Sequence, residues 1–416
     1  MAIHKYREPG QGGLGCGVGS CCHGSQGAAE TELTMVPKPP VYLDYNATTP
    51  VHPGVVEAIQ PYLREHYGNP SSAHVYGRRA HQAMEQAREQ VAALLGAHPT
   101  EIVFTGCATE ANNLAIRGVA RALRHRGRHL ITCAVEHPSV TQPFRRLEED
   151  GWAVTVIPVD TDGRVKAQDV ARALRDDTVL MSVMHANNEV GTIQPIEEVA
   201  ALTRPRGIVL HTDAAQSVGK IPVSVNELDV DLLTLAGHKF YAPKGVGALY
   251  IRQGTPISPL LVGAAHEQGL RPGTENVPAI VGLGEAARLA VQREETAERP
   301  LRRLRDHLHT LLSRAIPDLA LNGHSVHRLP NTLNLSFPRV EGCTLLARAA
   351  DEVAASVGSA CHEKGEAVSG VLGAMGLAPA RAQGAVRLSL GIFTTEEEIG
   401  RAATALANAW RYLQGS

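Results

Sequence analysis

The sequence predicts an α/β fold with a mostly parallel, seven-stranded sheet in a large domain and a smaller C-terminal α/β domain. The chain has 416 residues, which is too long for one hydrophobic core, and its 44% hydrophobic content and net charge of -2 are typical of a globular protein. From about residue 56 to residue 290, short β-rich segments alternate with helical patterns. Such alternation is typical of a parallel sheet that is covered by helices on both faces.

The strands of the large domain are predicted from short runs of apolar and β-branched residues. Helical patterns with Ala and Leu at three- and four-residue spacing lie between them, for example Arg78–Leu95 and Glu110–Leu123. The predicted strands are Glu101–Thr105, His129–Cys133, Val154–Pro158, Val179–Met184, Ile208–His211, Leu232–Leu235 and Gly247–Ile251.

A long charged helical stretch, Glu285–Ala315, leads to a second group of elements. Within it Asn331–Phe337 and Ala385–Leu390 are predicted strands and Glu396–Leu413 a final helix, and we expect Val41–Tyr45 to complete this group. The predicted organisation is a disordered Gly- and Cys-rich tail over residues 1–40, a segment over 41–55 that joins the small domain, a large ligand-binding domain over 56–290 and a small domain over 291–416.

Charge and cysteine content narrow the classes of partner. The near-neutral charge provides no broad basic field for nucleic acid, so we expect a small-molecule partner. The seven cysteines are odd in number and irregularly spaced, which favours a reducing compartment. No window approaches the roughly 20 apolar residues of a transmembrane helix, and the first residues lack the apolar centre of a signal peptide. The sequence therefore predicts a cytoplasmic protein with no membrane partner.

The N-terminal tail carries a cluster formed by Cys16, Cys21, Cys22 and His23. Its composition buries too little apolar surface to offset the entropy of ordering, so disorder is the simpler interpretation. The alternative is an arm that binds metal or accepts sulfur. The spacing fits no zinc signature, and we predict no metal site.

Polar residues follow the predicted strands of the large domain. In an open parallel sheet ligands bind beyond the carboxyl ends of the strands, so we expect these residues to share one site. Each taken alone is more often structural than catalytic. In chain order they are Thr105–Asn113 with its small-residue turn at a helix start, Glu136-His137, Asn187-Asn188-Glu189, Asp213-Ala-Ala-Gln216 and Gly237-His238-Lys239.

Together these groups are what a phosphorylated pyridine aldehyde requires. Lys239 can form a Schiff base with the aldehyde, and Asp213 would keep the pyridine nitrogen protonated. Gln216 can hydrogen-bond the ring oxygen, and His137 can stack on the ring. The phosphate would be held by Thr109, by the amides near Ala108 and by His238.

The sequence resembles the cysteine desulfurase and selenocysteine lyase group of fold-type I pyridoxal 5'-phosphate enzymes. The resemblance runs from Val41 to about Ala407 and depends on the order and spacing of many short motifs. These are Tyr42-Leu-Asp-Tyr-Asn-Ala-Thr-Thr-Pro50, Gly68-Asn-Pro-Ser-Ser72, Thr109-Glu-Ala-Asn-Asn113, Glu136-His137, Asn187-Asn-Glu-Val-Gly191, Asp213-Ala-Ala-Gln216, Gly237-His-Lys239, Arg271-Pro-Gly-Thr-Glu-Asn276, Gly358-Ser-Ala-Cys361 and Val386-Arg-Leu-Ser389.

The resemblance implies further roles. Lys239 is the cofactor-binding lysine and base, and Asn188 and Arg387 bind the substrate carboxylate, a task that suits a bidentate guanidinium. Thr274 reaches the phosphate of the neighbouring subunit, which implies a homodimer. Cys361 lies in a run of small and polar residues that predicts a mobile loop, and it attacks the substrate chalcogen or assists its departure. The implied products are L-alanine and a selenium or sulfur equivalent.

Departures from the family pattern affect the choice of chalcogen. Ala236 stands where many cysteine desulfurases have a phosphate-binding serine and selenocysteine lyases have an apolar residue. Cys361-His362 also resembles selenocysteine lyase, whereas Ile392 replaces an arginine common in both groups, and Cys107 and Ala108 replace glycines of the phosphate turn. The favoured interpretation is an enzyme acting on L-selenocysteine.

The alternative is an L-cysteine desulfurase that leaves a persulfide on Cys361 for a chalcogen-acceptor protein, feeding iron–sulfur or thio-cofactor assembly. Sulfur and selenium differ little in size, so one pocket contact discriminates weakly between them. Two further hypotheses come from other classes. One is a catalytically silent scaffold or chalcogen carrier, which predicts no cofactor, and the other is an aminotransferase or another lyase of the same fold, which has no need of Cys361.

Overall fold

The computed structural model describes residues 38–358 and 369–415, with the side chains of residues 294–297 left aside. Residues 1–37 of the predicted tail and residues 359–368, which include Cys361, lie outside the described residues. Residues Pro39–Ser416 group as one compact unit. The division of the chain at residue 290 stays a prediction.

The helices cover the sheet and alternate with the strands, as the sequence predicts. They are α1 (Pro53–Arg64), α2 (Val75–Leu95), α3 (Ala108–Leu123), α4 (Pro138–Glu149), α5 (Ala167–Ala173), α6 (Ile196–Thr203), α7 (Val225–Leu228), α8 (Val277–Ala315), α9 (Gly342–Arg348), α10 (Gly370–Ala374), α11 (Pro379–Gln383) and α12 (Glu396–Gln414). In the described part of the chain, none of them has the length and apolar character needed to cross a membrane.

The strands form a seven-stranded sheet, a three-stranded sheet and one short pair. They are β1 (Val41–Tyr42), β2 (Ile102–Thr105), β3 (His129–Cys133), β4 (Ala153–Ile157), β5 (Thr178–Ser182), β6 (Val209–Asp213), β7 (Leu232–Ala236), β8 (Gly247–Ile251), β9 (Ala320–Asn322), β10 (Thr332–Ser336), β11 (Val353–Ala354) and β12 (Ala385–Ser389).

The seven-stranded sheet has the order β2-β8-β7-β6-β5-β3-β4. Strands β7, β6, β5, β3 and β4 are parallel, and β8 runs antiparallel to both β7 and β2. The predicted mostly parallel sheet is therefore confirmed. Residues of its central strands are buried throughout, because helices pack on both faces. The carboxyl ends of the parallel strands form one edge, which is where the predicted site residues lie.

The second group of elements has its own apolar cluster. Strand β10 pairs antiparallel with β9 and β12, and β1 pairs parallel with β11. The segment after β1 continues to β12 through a bridge between Asp44 and Ser389. The N-terminal segment therefore lies between the C-terminal strands and the edge of the large sheet.

Helix α8 begins eight residues earlier than the charge pattern predicts, at Val277 instead of Glu285. The side chain of Asn276 caps it by accepting from the amide of Ala279 at 3.3 Å. Gly282 and Gly284 lower the helix propensity of this first part, so the sequence pattern hides it. Each is needed for close packing: a Cβ on Gly282 would lie 2.7 Å from Ile59, and one on Gly284 would lie 2.6 Å from Ala87.

Candidate active site

A cavity of about 440 Å³ opens at the carboxyl ends of the parallel strands. Its size suits a small ligand that is mostly enclosed. Thr274 is exposed and lies outside the lining of this cavity. Most of the predicted site residues line it, namely Ala108, Thr109, His137, Asn188, Asp213, Gln216, His238, Lys239 and Arg387.

Lys239 ends a single 3-10 turn, Gly237–Lys239, that follows β7. Its amine donates to the main-chain carbonyl oxygen of Asn46 at 2.6 Å and to that of Ala47 at 2.8 Å. Burial, and then the cation of Arg387, lower the pKa of Lys239 to about 8, while Asp213 and Asp44 oppose the shift. The unprotonated fraction of this amine near neutral pH is therefore much larger than that of a free lysine, which favours its action as a nucleophile or base.

Asp213 is the last residue of β6 and is buried at the floor of the cavity. One carboxylate oxygen accepts from the amide of Ala215 at 2.9 Å, and the other accepts from the side chain of Asn112 at 2.8 Å. These two donors fix the orientation of the carboxylate. It is positioned to hold a proton on a ring nitrogen.

A hydrogen-bonded chain links Asp213 to His137. The amide nitrogen of Asn112 donates to Asp213 and also to the hydroxyl of Ser139, both at 2.8 Å. The Ser139 hydroxyl lies 2.8 Å from Nδ1 of His137, and the Ser139 amide donates to the same nitrogen at 3.1 Å. Since Nδ1 accepts from a main-chain amide, the ring proton of neutral His137 is on Nε2.

Burial lowers the pKa of His137, Asp213 opposes this shift, and Lys239 reinforces it. The imidazole is therefore mainly uncharged near neutral pH. A neutral, fully oriented ring in the cavity wall suits stacking on an aromatic ligand. The sequence identified His137 itself, but it did not identify Asn112 or Ser139, which orient it.

The start of α3 faces the cavity with its main-chain amides. Cys107 occupies the N-cap position without a side-chain hydrogen bond, and Ala108 and Thr109 line the cavity. A free helix start of this kind attracts a phosphate. Gly247 permits the approach of this turn to β8, because a Cβ there would lie 2.9 Å from the Cys107 carbonyl carbon. The departures at Cys107 and Ala108 are therefore compatible with a phosphate-binding turn.

His238 is available to the phosphate as a neutral group. Burial, and then the cations of Lys239, Lys244 and Lys220, lower its pKa to about 4. Its Nδ1 lies 3.2 Å from the hydroxyl of Thr48. Ala236 lines the cavity and is buried, so no hydroxyl is present at that position.

Arg387 is buried in the opposite wall and lies on β12. Its guanidinium donates to the carboxylate of Asp44 at 2.8 Å and to the carbonyl oxygen of Asn188 at 3.1 Å. Its Nε is buried and has no hydrogen-bond partner among the described residues. A guanidinium that lines the cavity and is held in place by two fixed acceptors is prepared to bind a carboxylate.

Two residues of the segment that precedes Cys361 in the sequence belong to the cavity wall. Ser356 and Gly358 line the cavity, and Ser356 forms a β-bridge with Arg387. Gly358 has a φ of +98°, and a Cβ there would lie 2.7 Å from a carboxylate oxygen of Glu189. Cys361 follows three residues later in the sequence, outside the described residues.

Two residues that sequence reasoning missed connect parts of the site, Asn46 in the cavity lining and Lys220 behind it. Asn46 is buried, and its side chain donates to Thr332 at 2.9 Å and to the carbonyl oxygen of Asn188 at 3.2 Å. Lys220 donates to the side-chain oxygen of Asn46 at 3.1 Å and to that of Gln216 at 2.7 Å. Neither follows a strand directly, so the rule that located the other residues does not find them.

Glu136 lies in the core beneath Asp213. It accepts from the Met184 amide at 2.6 Å and from the Cys133 thiol at 3.2 Å. Burial, and then the carboxylate of Asp213, raise the pKa of Glu136 to about 8. Its other oxygen is buried and has no hydrogen-bond partner within the described residues. Glu136 is therefore mainly protonated at neutral pH.

These groups fit pyridoxal 5'-phosphate. The amine of lowered pKa suits the aldehyde, the buried carboxylate suits the ring nitrogen, and the uncapped helix start suits the phosphate. The metal-ligating residue types form no cluster suitable for a metal ion in the described ranges. Fold and site together define the class: a fold-type I enzyme that depends on pyridoxal phosphate.

Comparison with known proteins specifies the family. The model of the aminotransferase class-V family matches residues 41–401. A cysteine desulfurase IscS from Dictyoglomus turgidum is 48% identical over 360 residues, which cover 86% of this chain and 91% of that relative. A cysteine desulfurase IscS from Methanosarcina thermophila is 47% identical over 362 residues, which cover 87% of this chain and 89% of the relative. The chain belongs to the aminotransferase class-V family, within its cysteine desulfurase and selenocysteine lyase group.

Solved structures agree with this assignment. A NifS-like protein superposes with a TM-score of 0.84 at 40% identity and covers 91% of this chain and 100% of its own. A structure described as SspA in complex with cysteine superposes with a TM-score of 0.76 at 37% identity, covering 85% of this chain and 99% of its own. The chain is therefore an enzyme that depends on pyridoxal phosphate, as predicted from its sequence. A silent scaffold without a cofactor is not supported.

Proposed function

We propose that this chain is an L-cysteine desulfurase that converts L-cysteine to L-alanine and transfers the sulfur to Cys361. The observation that carries the proposal is the position of Lys239, whose amine of lowered pKa shares one cavity with Arg387. Ser356, which precedes Cys361 by five positions in the sequence, forms a β-bridge with Arg387 in the same cavity. The persulfide would then pass to an acceptor protein, as in iron–sulfur or thio-cofactor assembly.

In this proposal Arg387 and Asn188 bind the substrate carboxylate. The guanidinium of Arg387, which lines the cavity, would donate to it, while Asp44 holds the group in place. Asn188 lines the same cavity, and its carbonyl oxygen already accepts from Arg387. The substrate amine is thereby directed toward Lys239, and the side chain toward the wall formed by Ser356.

Lys239 carries out the proton transfer, and Asp213 and His137 support the cofactor ring. Bound pyridoxal phosphate would accept the electron pair that remains when the Cα–H bond breaks. Lys239, unprotonated at its amine, takes the Cα proton, and Asp213 keeps the ring nitrogen protonated so that the cofactor remains an effective electron acceptor. His137 presents its Nε2 proton to the cavity and stacks on the ring.

Sulfur transfer needs one thiol of the protein. The thiolate of Cys361 attacks the substrate sulfur, an S–S bond forms, and the bond between Cβ and sulfur breaks. The electron pair of the broken bond stays with the substrate carbon, which takes a proton and becomes the methyl group of alanine, and Cα regains the proton that it gave to Lys239. L-cysteine and one protein thiol thus become L-alanine and one persulfide, and the step requires no added oxidant.

The sequence motifs favoured L-selenocysteine as the substrate, whereas we propose L-cysteine. The similar proteins carry the name cysteine desulfurase, which supports the alternative function over selenocysteine lyase. One observation favours selenium as a second candidate. Ala236 puts a buried methyl group in the cavity wall at the position where selenocysteine lyases are apolar.

Alanine release from the two amino acids tests the proposal. The purified protein, loaded with pyridoxal phosphate, is incubated with L-cysteine or L-selenocysteine, and alanine is measured over time. We expect turnover of L-cysteine and its loss in Lys239→Ala. Turnover of L-selenocysteine alone would contradict the proposal and favour the lyase. Cys361→Ser with full activity on the natural substrate would favour an aminotransferase or another lyase of the same fold.

We include the homodimer in the proposal. Thr274 is exposed outside the cavity, and Arg271 in the same segment is paired with Glu110 at the start of α3, with 2.9 Å between the charged atoms. This pair would hold the segment so that Thr274 reaches a neighbouring subunit. Sedimentation of the purified protein should give a mass of two chains, and a monomer with full activity would contradict this part.

A further inference from the structure

Lys220 lies behind the cavity wall, next to the side chain of Gln216. Its amine donates to the side-chain oxygen of Gln216 at 2.7 Å and to that of Asn46 at 3.1 Å. Gln216 lines the cavity, whereas Lys220 does not belong to its described lining. Lys220 can therefore affect a ligand in the cavity only through its partners or through its charge.

The amide of Gln216 has one orientation that satisfies its neighbours. A carbonyl oxygen can only accept, so the Gln216 amide nitrogen donates to the carbonyl oxygen of Asn46 at 3.0 Å, and the amide oxygen then faces Lys220, which donates to it. A flipped amide would bring two acceptor oxygens together at Asn46. Because only one N–H of the amide nitrogen is used, the second is available to the cavity.

Lys220 does not need a charge for this task. Burial, and then the cations of Lys239 and Arg387, lower the pKa of Lys220 well below its ordinary value. A neutral amine has two N–H groups, and Lys220 has the two acceptors described above. It can thus orient Gln216 as a hydrogen-bond donor even when unprotonated.

The main chain fixes the position of Lys220. Gly219, just before it, has a φ of +74°, and a Cβ there would lie 2.7 Å from the Cβ of Phe240. The Lys220 amide donates to the carbonyl oxygen of Ser217 at 3.0 Å, which closes the turn. A glycine is required at this turn, and the turn brings Lys220 back toward Gln216, four residues earlier.

We infer that Lys220 is a positioning residue that makes Gln216 a hydrogen-bond donor toward the cofactor, so that the site selects a ring carrying an oxygen acceptor. The inference rests on the proposed placement of Gln216 beside the ring oxygen of pyridoxal phosphate. It is independent of whether the substrate carries sulfur or selenium.

The test compares two ligands on the full-length protein freed of its cofactor. The dissociation constants of pyridoxal 5'-phosphate and of its analogue without the ring hydroxyl are measured for the unmodified protein, Lys220→Met, Gln216→Leu and the double variant. We expect the unmodified protein to prefer the hydroxylated ligand by roughly tenfold, the range of one hydrogen bond. The preference should fall in both single variants and fall no further in the double variant.

Lys244→Met is the matched control. Lys244 is exposed and, like Lys220, acts on the pKa of His238, so this variant removes a nearby charge without touching Gln216. It should keep the full preference. If Lys220→Met does not fold, Lys220→Leu takes its place.

An unchanged preference in the Lys220 variants would overturn the inference, as would an equal fall in Lys244→Met. An unchanged preference in Gln216→Leu would also overturn it, because Gln216 would then form no hydrogen bond to the ring oxygen. Failure of the proposed function looks different, because a protein that binds the cofactor with this preference but releases no alanine from L-cysteine refutes the activity alone.

Discussion

The amine of Lys239 lies 2.6 Å from the main-chain carbonyl oxygen of Asn46. This contact joins the end of the central strand β7 to the N-terminal segment, which in turn bonds to the C-terminal strands through the Asn46 amide and Ser389 at 2.9 Å. The reactive amine is therefore held by a segment far from it in sequence. Its surroundings, more than its neighbours in the chain, determine its reactivity.

The lowered pKa of Lys239 predicts the pH dependence of cofactor capture. The rate at which the cofactor-free protein binds pyridoxal phosphate covalently should rise with pH and level off above about 8. In Arg387→Met, which lacks the cation that lowers the pKa, the inflection should move to higher pH. Stopped-flow absorbance measures both. An inflection near the value of a free lysine, roughly 10.4, would contradict the account of Lys239.

Arg387→Lys tests the proposed carboxylate site. Lysine keeps the charge but cannot satisfy Asp44 and a substrate carboxylate with one planar group. We expect the KM for L-cysteine to rise by roughly tenfold or more, with the cofactor absorbance unchanged. Arg381→Lys is the control, because Arg381 is exposed and bonds to Asn322 away from the cavity. A fall in kcat at constant KM would mean that Arg387 does not bind the substrate carboxylate.

Asn112→Leu tests the hydrogen-bonded chain behind the ring site. The variant keeps the volume but removes the donor to Asp213 and to Ser139. We expect cofactor affinity to fall by roughly tenfold and the visible band of the bound cofactor to shift, since both ring contacts lose their orientation. Asn226→Leu, at an exposed position, should change neither. Wild-type affinity in Asn112→Leu would show that Asp213 and His137 need no such support.

Glu136→Gln tests the protonated core carboxyl. The pKa of Glu136 is about 8 in the folded protein and roughly 4.3 when unfolded, so the folded state binds more protons between these values. The free energy of unfolding should therefore fall as pH rises through this window, by at most about 1.4 kcal/mol per pH unit from this group. Glutamine cannot ionise, so the variant should gain stability relative to the wild type as pH rises.

Urea unfolding of both proteins between about pH 5 and pH 8 measures this difference. Glu89→Gln, an exposed position on α2, is the control for the substitution itself. A pH-independent difference for Glu136→Gln would mean that Glu136 is ionised in the folded protein.

The strand-end residues were predictable because apolar runs define where parallel strands stop. Asp213 and Lys239 follow such runs directly, and the structure brings both into one cavity. Asn112 was within a quoted motif, but nothing in the sequence indicates that its amide contacts a residue about a hundred positions later. The sequence indicates the position of Lys220 only weakly. A glycine precedes it, and a turn at that glycine can bring the lysine close to Gln216, four residues earlier.

The position of the N-terminal segment cannot be predicted from sequence periodicity. Asn46 follows a strand of two residues, β1, which is too short to define a face or an end by pattern. Its position depends on pairing with β11 and β12, whose residues lie more than 300 positions away. Contacts of that range follow from packing of the whole chain, so only the family resemblance marked this segment as important.

The destination of sulfur tests the central claim most directly. The holoenzyme is given one equivalent of L-cysteine, its thiols are blocked, and the digested protein is analysed by mass spectrometry. We predict that the peptide with Cys361 gains one sulfur atom as alanine appears, that Cys343 gains none, and that Lys239→Ala shows no transfer. Alanine release without sulfur on Cys361, or sulfur on Cys107 in the cavity wall instead, would contradict the account.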